Sequence, residues 1–232
     1  MIRLDRLLSN YGIDSRKNVK RLIRNGEVKV NEVIIKKDDY KVDEINDIIK
    51  VNDEIIDYQK NIYLMLNKPS GYVSANYDDY DPTVFDLIDL GYKDLFCVGR
   101  LDKDTEGLLL ITNDGLLAHH LMSPKNKIYK KYYVEILNPL TEKDIDLLEN
   151  GEIVLDYVQI GQAFVEIIDE HKIYLSISEG KYHQVKRMLN ACRNEVTYLK
   201  RISVGPLILD DSLESGECRY LSSDEIDLLK SL

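Results

Sequence analysis

Asp102 stands in the middle of Gly99-Arg100-Leu101-Asp102-Lys103-Asp104-Thr105-Glu106-Gly107-Leu108-Leu109-Leu110-Ile111-Thr112-Asn113-Asp114-Gly115. This is a dense polar loop, with glycines at both ends of the stretch, that runs into an apolar strand. Loops carried on rigid strands are where chemistry concentrates. A carboxylate there can attack a carbon or take a proton. In a closed pocket its charge is disfavoured unless a cation holds it ionised. Asp104 and Asp114 lie close enough to suggest paired-carboxylate or metal chemistry. Arg100 and Lys103 compete with a metal, however, and Asp104-Thr105 fits a turn or cap, so Asp104 and Asp114 read as structural.

Candidate cations come from Glu179-Gly180-Lys181-Tyr182-His183-Gln184-Val185-Lys186-Arg187-Met188-Leu189-Asn190-Ala191-Cys192. A turn at Glu179-Gly180 leads into a helical pattern. At ~100° per residue, Val185, Met188, Leu189 and Cys192 share one side, while His183, Lys186, Arg187 and Asn190 share the other. A third cluster, Lys130-Lys131-Tyr132-Tyr133-Val134, sets aromatic rings beside lysines on an alternating strand.

The elements that must carry these groups can be read along the chain. Leu4, Leu7, Leu8 and Tyr11 recur at helical spacing before Gly12, and a second helix runs from an N-cap at Ser15 to Asn25, with Gly26 past its end. Strands Val28–Val30 and Val33–Ile35 flank a turn at Asn31-Glu32, and a further strand lies near Ile48–Val51. The acidic stretch Asp53–Asn61 reads as a connection. Ile62–Leu66 is a buried strand ending in the Asn67-Lys68-Pro69-Ser70-Gly71 turn. Asp81-Pro82-Thr83 reads as a helix start. Strands are expected at Leu95–Val98, Leu108–Thr112, Tyr132–Ile136 and Ile173–Ile177. Helices are expected at Gly115–Met122, from Thr141 to Asn150, and after the capping box Ser222-Ser223-Asp224-Glu225. Strands and helices mix without strict alternation. The expected fold class is α+β, with an extended, mostly antiparallel mixed sheet flanked by helices.

Composition limits the function classes. The 232 residues carry a net charge of −10, which taken alone argues against a nucleic-acid partner. The distribution reverses that reading. Residues 1–29 hold eight Lys/Arg against three acids, +5, and leave −15 on the other 203. Arg16, Lys17, Lys20 and Arg21 lie on the second helix, a form suited to phosphates and salt-dependent binding. No stretch reaches the roughly 18 apolar residues of a membrane span, and the N-terminus shows no apolar signal segment. Cys97, Cys192 and Cys218 are odd in number and far apart, which points to a reducing cytoplasm. Neither they nor His119, His120, His171 and His183 show metal-ligand spacing, so no metal is expected.

The Asp102 stretch resembles the catalytic signature of the ribosomal RNA pseudouridine synthases of the RsuA type. The Asn-Lys-Pro-x-Gly turn, the Lys-x-Tyr at Lys130 and Tyr132, the Glu-Gly-x-x-His-Gln-Val-basic-Arg-Met block and Leu199-Lys200-Arg201-Ile202 are similar to further segments of that family. Arg3-Leu4-Asp5, Ser15-Arg16 and Gly26-Glu27-Val28-Lys29-Val30-Asn31 resemble the alpha-L RNA-binding motif shared with ribosomal protein S-four. The resemblance implies a domain at 1–57 that binds RNA, a linker at 58–61, and a pseudouridine synthase domain at 62–232.

It further implies that Asp102 is the essential carboxylate, that Tyr132 faces the target base, with Tyr133 as runner-up, and that Lys186 is the cation paired with Asp102. Many relatives carry Arg at the Lys186 position, and Arg187 is the alternative here. Arg100, Lys130, His183, Gln184 and Arg187, with Arg16, Lys17, Lys20 and Arg21, are the expected RNA contacts. Converting uridine to pseudouridine changes no oxidation state and needs no energy source, so no cofactor is expected. The glycines accordingly form no Walker A or GxGxxG pattern. Within the family, His183 favours a 16S rRNA enzyme acting as a monomer on a small-subunit ribonucleoprotein particle. A 23S rRNA enzyme and a non-catalytic ribosome-assembly factor are the alternatives.

Overall fold

The computed structural model describes residues 1–44, 46–56, 58, 61–88 and 94–232. It divides into two compact units, one built on Met1–Ile62 and the other on Tyr63–Ile88 and Phe96–Leu232.

In the first unit, helix α1 (Leu4–Tyr11) ends at Gly12, and α2 (Arg16–Asn25) ends at Gly26, both glycines in the left-handed region. The Ser15 hydroxyl accepts from the Asn18 amide at 3.3 Å and caps α2, a bond worth about 1 kcal/mol. Leu4, Leu7, Leu8, Val19 and Ile23 are fully buried against Val28 and Val42. Each such leucine contributes roughly 1.5–3 kcal/mol. Val28–Val30 pairs with Val33–Ile34 through the Asn31-Glu32 turn and with Ile49–Val51 on its other edge. The Asp53–Asn61 expectation needs correction at its start. Asn52 and Asp53, with positive φ, turn the chain into strand Glu54–Ile55, which pairs back on Ile49–Val51. Positions 59 and 60 of the expected linker lie outside the described residues.

The second unit is a sheet of nine strands among the described residues. Its main order is Ala163–Asp169, Lys172–Ile177, Lys130–Ile136, Val196–Val204, Glu106–Thr112, Tyr63–Lys68, Cys218–Tyr220. Neighbours are antiparallel except Val196–Val204 and Glu106–Thr112, which run parallel. The expected α+β class and mostly antiparallel mixed sheet are therefore what the chain forms. Tyr63–Lys68 is buried at every position, the mark of a strand covered on both faces. Lys130–Ile136 alternates buried and half-buried positions, which sends Tyr132 and Tyr133 to opposite faces.

Helices α3 (Gly115–Met122), α4 (Glu142–Glu149), α5 (Gln184–Ala191) and α6 (Ser223–Lys230) complete the unit. Leu117 and Leu121 of α3 and Leu229 of α6 pack with Met65, Leu108 and Leu110 in one core. The Asp81-Pro82-Thr83 helix start becomes a single 3-10 turn, Val84–Leu87, capped by Thr83. Val73 explains this: it bridges Thr83 and accepts from the Val84 amide at 3.0 Å, so the chain stays strand-like up to the cap. No helix among the described residues is long and apolar enough to cross a membrane.

Candidate active site

The loop carrying Asp102 is clamped from below by Lys68. Its fully buried ammonium donates to the carbonyls of Pro69 at 2.9 Å, Lys103 at 3.2 Å and Thr105 at 2.8 Å. The Gly71 amide adds a bond to the Lys103 carbonyl at 2.8 Å. Ser74 Oγ donates to the Leu101 carbonyl at 3.0 Å and accepts from the Leu101 amide at 3.1 Å. Burial pulls Lys68 down to about 8, against the raising pull of Asp104, Glu106 and Asp102. Gly107 closes the loop where the parallel strands meet. With φ +97°, a β-carbon there would stand 2.3 Å from the Arg201 carbonyl oxygen, so only glycine fits.

Helix α5 and the residue before it bring the basic groups. His183, in the left-handed region before its first turn, puts Nε2 at 3.4 Å from Asp102 Oδ1. Lys186 Nζ lies 3.3 Å from Asp102 Oδ2 and 2.6 Å from Asp104 Oδ1. Burial lowers the Lys186 pKa, but the hydrogen bonds and charges of Asp104 and Asp102 outweigh it and hold it above the usual lysine value. Burial likewise raises Asp104, but Lys186 wins and holds its carboxyl below the usual range. Asp104 thus contacts the site cation. Asp114, by contrast, caps α3 by accepting from the Leu116 and Leu117 amides and takes the Tyr63 hydroxyl at 2.7 Å.

The other candidates separate by geometry. Tyr132 is buried and faces the same cavity wall as Asp102. The Tyr133 hydroxyl donates to Glu135 at 2.8 Å, and its ring meets Tyr174 and Tyr198 edge-on, on the opposite face. Arg187 pairs with Asp156 at 2.7 Å, so it is engaged away from Asp102. Gln184 is buried, and its Oε1 accepts from the Lys181 amide at 2.9 Å, which shapes the turn before α5. Arg100 is exposed at the rim. Lys130 is buried, donates to the Ser178 carbonyl at 3.2 Å, and is pulled down to about 8 by burial and by the charge of Arg201.

These side chains line one recess. A small cavity of about 60 Å³ lies among Asp102, Tyr132, Gln184, Lys186 and Leu199. It shares Arg100, Leu101, Asp102, Tyr132, Lys181 and His183 with a larger cavity of about 550 Å³. The larger volume falls in the range of small-molecule and cofactor sites, about 300–1,000 Å³. A carboxylate faced by an ammonium and an imidazole, beside a tyrosine ring, is equipped for nucleophilic or proton-transfer chemistry on a planar, polar group.

In the first unit, Asp5 is buried and meets Arg3 at 3.0 Å, Arg16 at 3.1 Å and Lys20 at 3.7 Å. Burial raises its pKa, but the Arg3 and Arg16 bonds outweigh this and hold the carboxyl below the usual range. Lys20 also lies 3.8 Å from Asp38. Lys17 and Arg21 are exposed and form no ion pair among the described residues.

Sequence reasoning passed over Lys68, Ser74 and Arg201. Lys68 lies in the Asn-Lys-Pro-x-Gly turn and Arg201 in Leu199-Lys200-Arg201-Ile202, both of which resemble family segments but carried no assigned role for these side chains. The available signal for Arg201 was its parity with Leu199 on an otherwise inward face.

Residues 62–191 match a family model described as RNA pseudouridylate synthase, and residues 2–55 match one described as S4 domain. A Bacillus subtilis protein named as an uncharacterized RNA pseudouridine synthase is 44% identical over 98% of each chain. A ribosomal small subunit pseudouridine synthase A of Vibrio vulnificus is 38% identical over 97% of this chain and 98% of its own. A crystal structure of a pseudouridylate synthase is similar with a TM-score of 0.69 and 37% identity, covering 99% of this chain and 100% of that one.

Proposed function

This chain belongs to the RNA pseudouridylate synthase family, and we propose that it converts one uridine of 16S ribosomal RNA to pseudouridine with Asp102 as the essential carboxylate. The observation that carries the reading is the placement of Lys186 and His183 on the two oxygens of Asp102, with Tyr132 lining the same recess. The 16S target is supported by the near-full-length likeness to relatives named for the small subunit.

The reaction breaks the bond from ribose to the uracil nitrogen and rebuilds it to carbon 5. Asp102 attacks the sugar or the base, or takes a sugar proton. Lys186 stands against its Oδ2 as the counter-charge in the recess. Tyr132 stacks on the extruded uracil. Such stacking is worth roughly 1–3 kcal/mol, against extrusion costing a few. Arg100 at the rim fills the place the base leaves or holds a phosphate, and His183 and Lys130 line the path of the RNA. Residues 1–57 grip RNA, 58–61 connect, and 62–232 catalyse. The enzyme works as a monomer on a small-subunit particle in the cytoplasm, and three free cysteines agree with a reducing compartment.

The test uses 16S and 23S transcripts and subunits labelled with tritium at uracil carbon 5. Release from 16S RNA by the wild type and none by Asp102→Asn is expected. Release from 23S RNA alone overturns the target, and release from neither overturns the reaction.

A further inference from the structure

Two buried basic side chains that line the larger cavity have no carboxylate partner among the described residues. Lys130 and Arg201 are each 3% exposed, and both line it. Arg201 spends Nε on the Leu108 carbonyl at 2.8 Å, while its buried Nη2 has no hydrogen-bond partner among the described residues. Lys130 Nζ reaches only the Ser178 carbonyl among the described hydrogen bonds.

The acids of the same wall face other basic groups, and Glu179 Oε2 is buried with no hydrogen bond among the described residues. Asp102 faces Lys186 and His183, and Glu179 lies 3.4 Å from Lys181. Lys103 is taken by Asp81 at 2.6 Å. Burying charge without a counter-charge is costly, so two basic groups that lack a carboxylate among the described residues call for an anionic ligand. In an RNA substrate the fixed negative charge is the phosphodiester.

Register sets the distance to that ligand. Arg201 is the direct cross-strand partner of Tyr132, and Lys130 is two residues from Tyr132 on the same face. Cross-strand partners stand side by side, and positions i and i+2 lie about 7 Å apart along a strand. A base on Tyr132 thus has Lys130 and Arg201 at the distance of a neighbouring phosphate. An arginine edge together with an ammonium is a standard phosphate-holding pair.

We propose that Lys130 and Arg201 form a buried phosphodiester subsite that holds a phosphate flanking the extruded uridine. This rests on the reaction proposed above and adds to it the anchor that sets the ribose over Asp102. Holding the backbone there turns base extrusion into a positioned step.

The test compares the full chain with Lys130→Met, Lys130→Arg and Arg201→Gln for affinity to 16S and 23S transcripts across a salt series, with thermal melting of each variant. Lys130→Met is expected to weaken binding, to lower the slope of log affinity on log salt by about 0.7–0.9, and to melt no lower than wild type. Lys130→Arg restores the slope. Arg201→Gln, if it folds, lowers the slope as Lys130→Met does. A well-folded Lys130→Met with the wild-type slope overturns the subsite. Tight binding without release of label overturns the reaction while leaving the subsite to be judged by the slope. Binding to neither RNA overturns both.

Discussion

Lys186 Nζ lies 3.3 Å from Asp102 and 2.6 Å from Asp104, so one ammonium serves two carboxylates. The exposed Asp104 makes the shorter contact, yet only Asp102 also faces His183 and lines the recess. In the proposed reaction, Asp104 steadies the cation and Asp102 uses it. Steady-state kinetics should separate the two. Asp102→Asn and Lys186→Met are expected to lower kcat by at least a hundredfold, as removal of a directly engaged charge does. Asp104→Asn should stay within about threefold of wild type, because Lys186 then turns wholly to Asp102. A hundredfold loss in Asp104→Asn would reverse the assignment.

Lys68 holds the loop from beneath, and its removal takes a donor from the carbonyls of Pro69, Lys103 and Thr105, of which Lys103's keeps the Gly71 amide. Unsatisfied buried groups cost about 1–3 kcal/mol each, partly recovered by relaxation. Lys68→Met should lower stability by about 2–4 kcal/mol in denaturant melts, and kcat should fall with KM little changed. The pH sign follows from the lowered pKa. The folded chain loses this proton near 8, whereas the unfolded chain holds it to the ordinary lysine value of 10.5. Wild-type stability from this group therefore rises as pH climbs through that window. Lys68→Met should lack the rise.

Asp5 has the opposite pH dependence. Its folded pKa is depressed by Arg3 and Arg16, so it stabilises the first unit above the ordinary aspartate value of 3.8 and loses that contribution as pH falls through the folded value. Asp5→Asn should destabilise by about 1–3 kcal/mol at neutral pH. Melts taken at falling pH should show the gap to wild type closing only in strong acid. A gap that is constant with pH would mean that packing, and not charge, sets the role of Asp5.

Local signals carried much of the fold. Ser15 and Gly26 mark both ends of α2, and the alternation at Tyr132, Val134 and Ile136 marks a strand with one buried face. These are effects between residues a few positions apart, where periodicity and capping operate. What escaped depends on register between distant strands. That Gly107 faces Arg201, and Arg201 faces Tyr132, follows from which strands pair, and no local pattern encodes it. The single 3-10 turn after Thr83 has the same origin, because a bridge to Val73 overrides the helix start at Pro82. The loop was visible as a catalytic candidate, but its clamp was not. A lysine donating to three carbonyls leaves no spacing to read.

The basic helix of the first unit divides into two kinds of cation. Arg16 and Lys20 are paired with the buried Asp5, although the Arg16 side chain stays half-exposed. Lys17 and Arg21 are exposed and unpaired among the described residues, so on the proposed reading they are the two expected to meet phosphates. Sequence reasoning grouped all four as RNA contacts, and the ion pairs now separate their expected effects. Replacing Lys17 and Arg21 with Gln should weaken RNA affinity and reduce the salt slope by about 1.4–1.8, the amount for two phosphate contacts. Such surface changes should leave the melting temperature nearly unmoved. Arg16→Gln should do the reverse, lowering the melting temperature through Asp5 with a smaller effect on the slope. A slope that falls equally for both would show that Arg16 leaves Asp5 when RNA binds, and the fold would then lose stability as the complex forms.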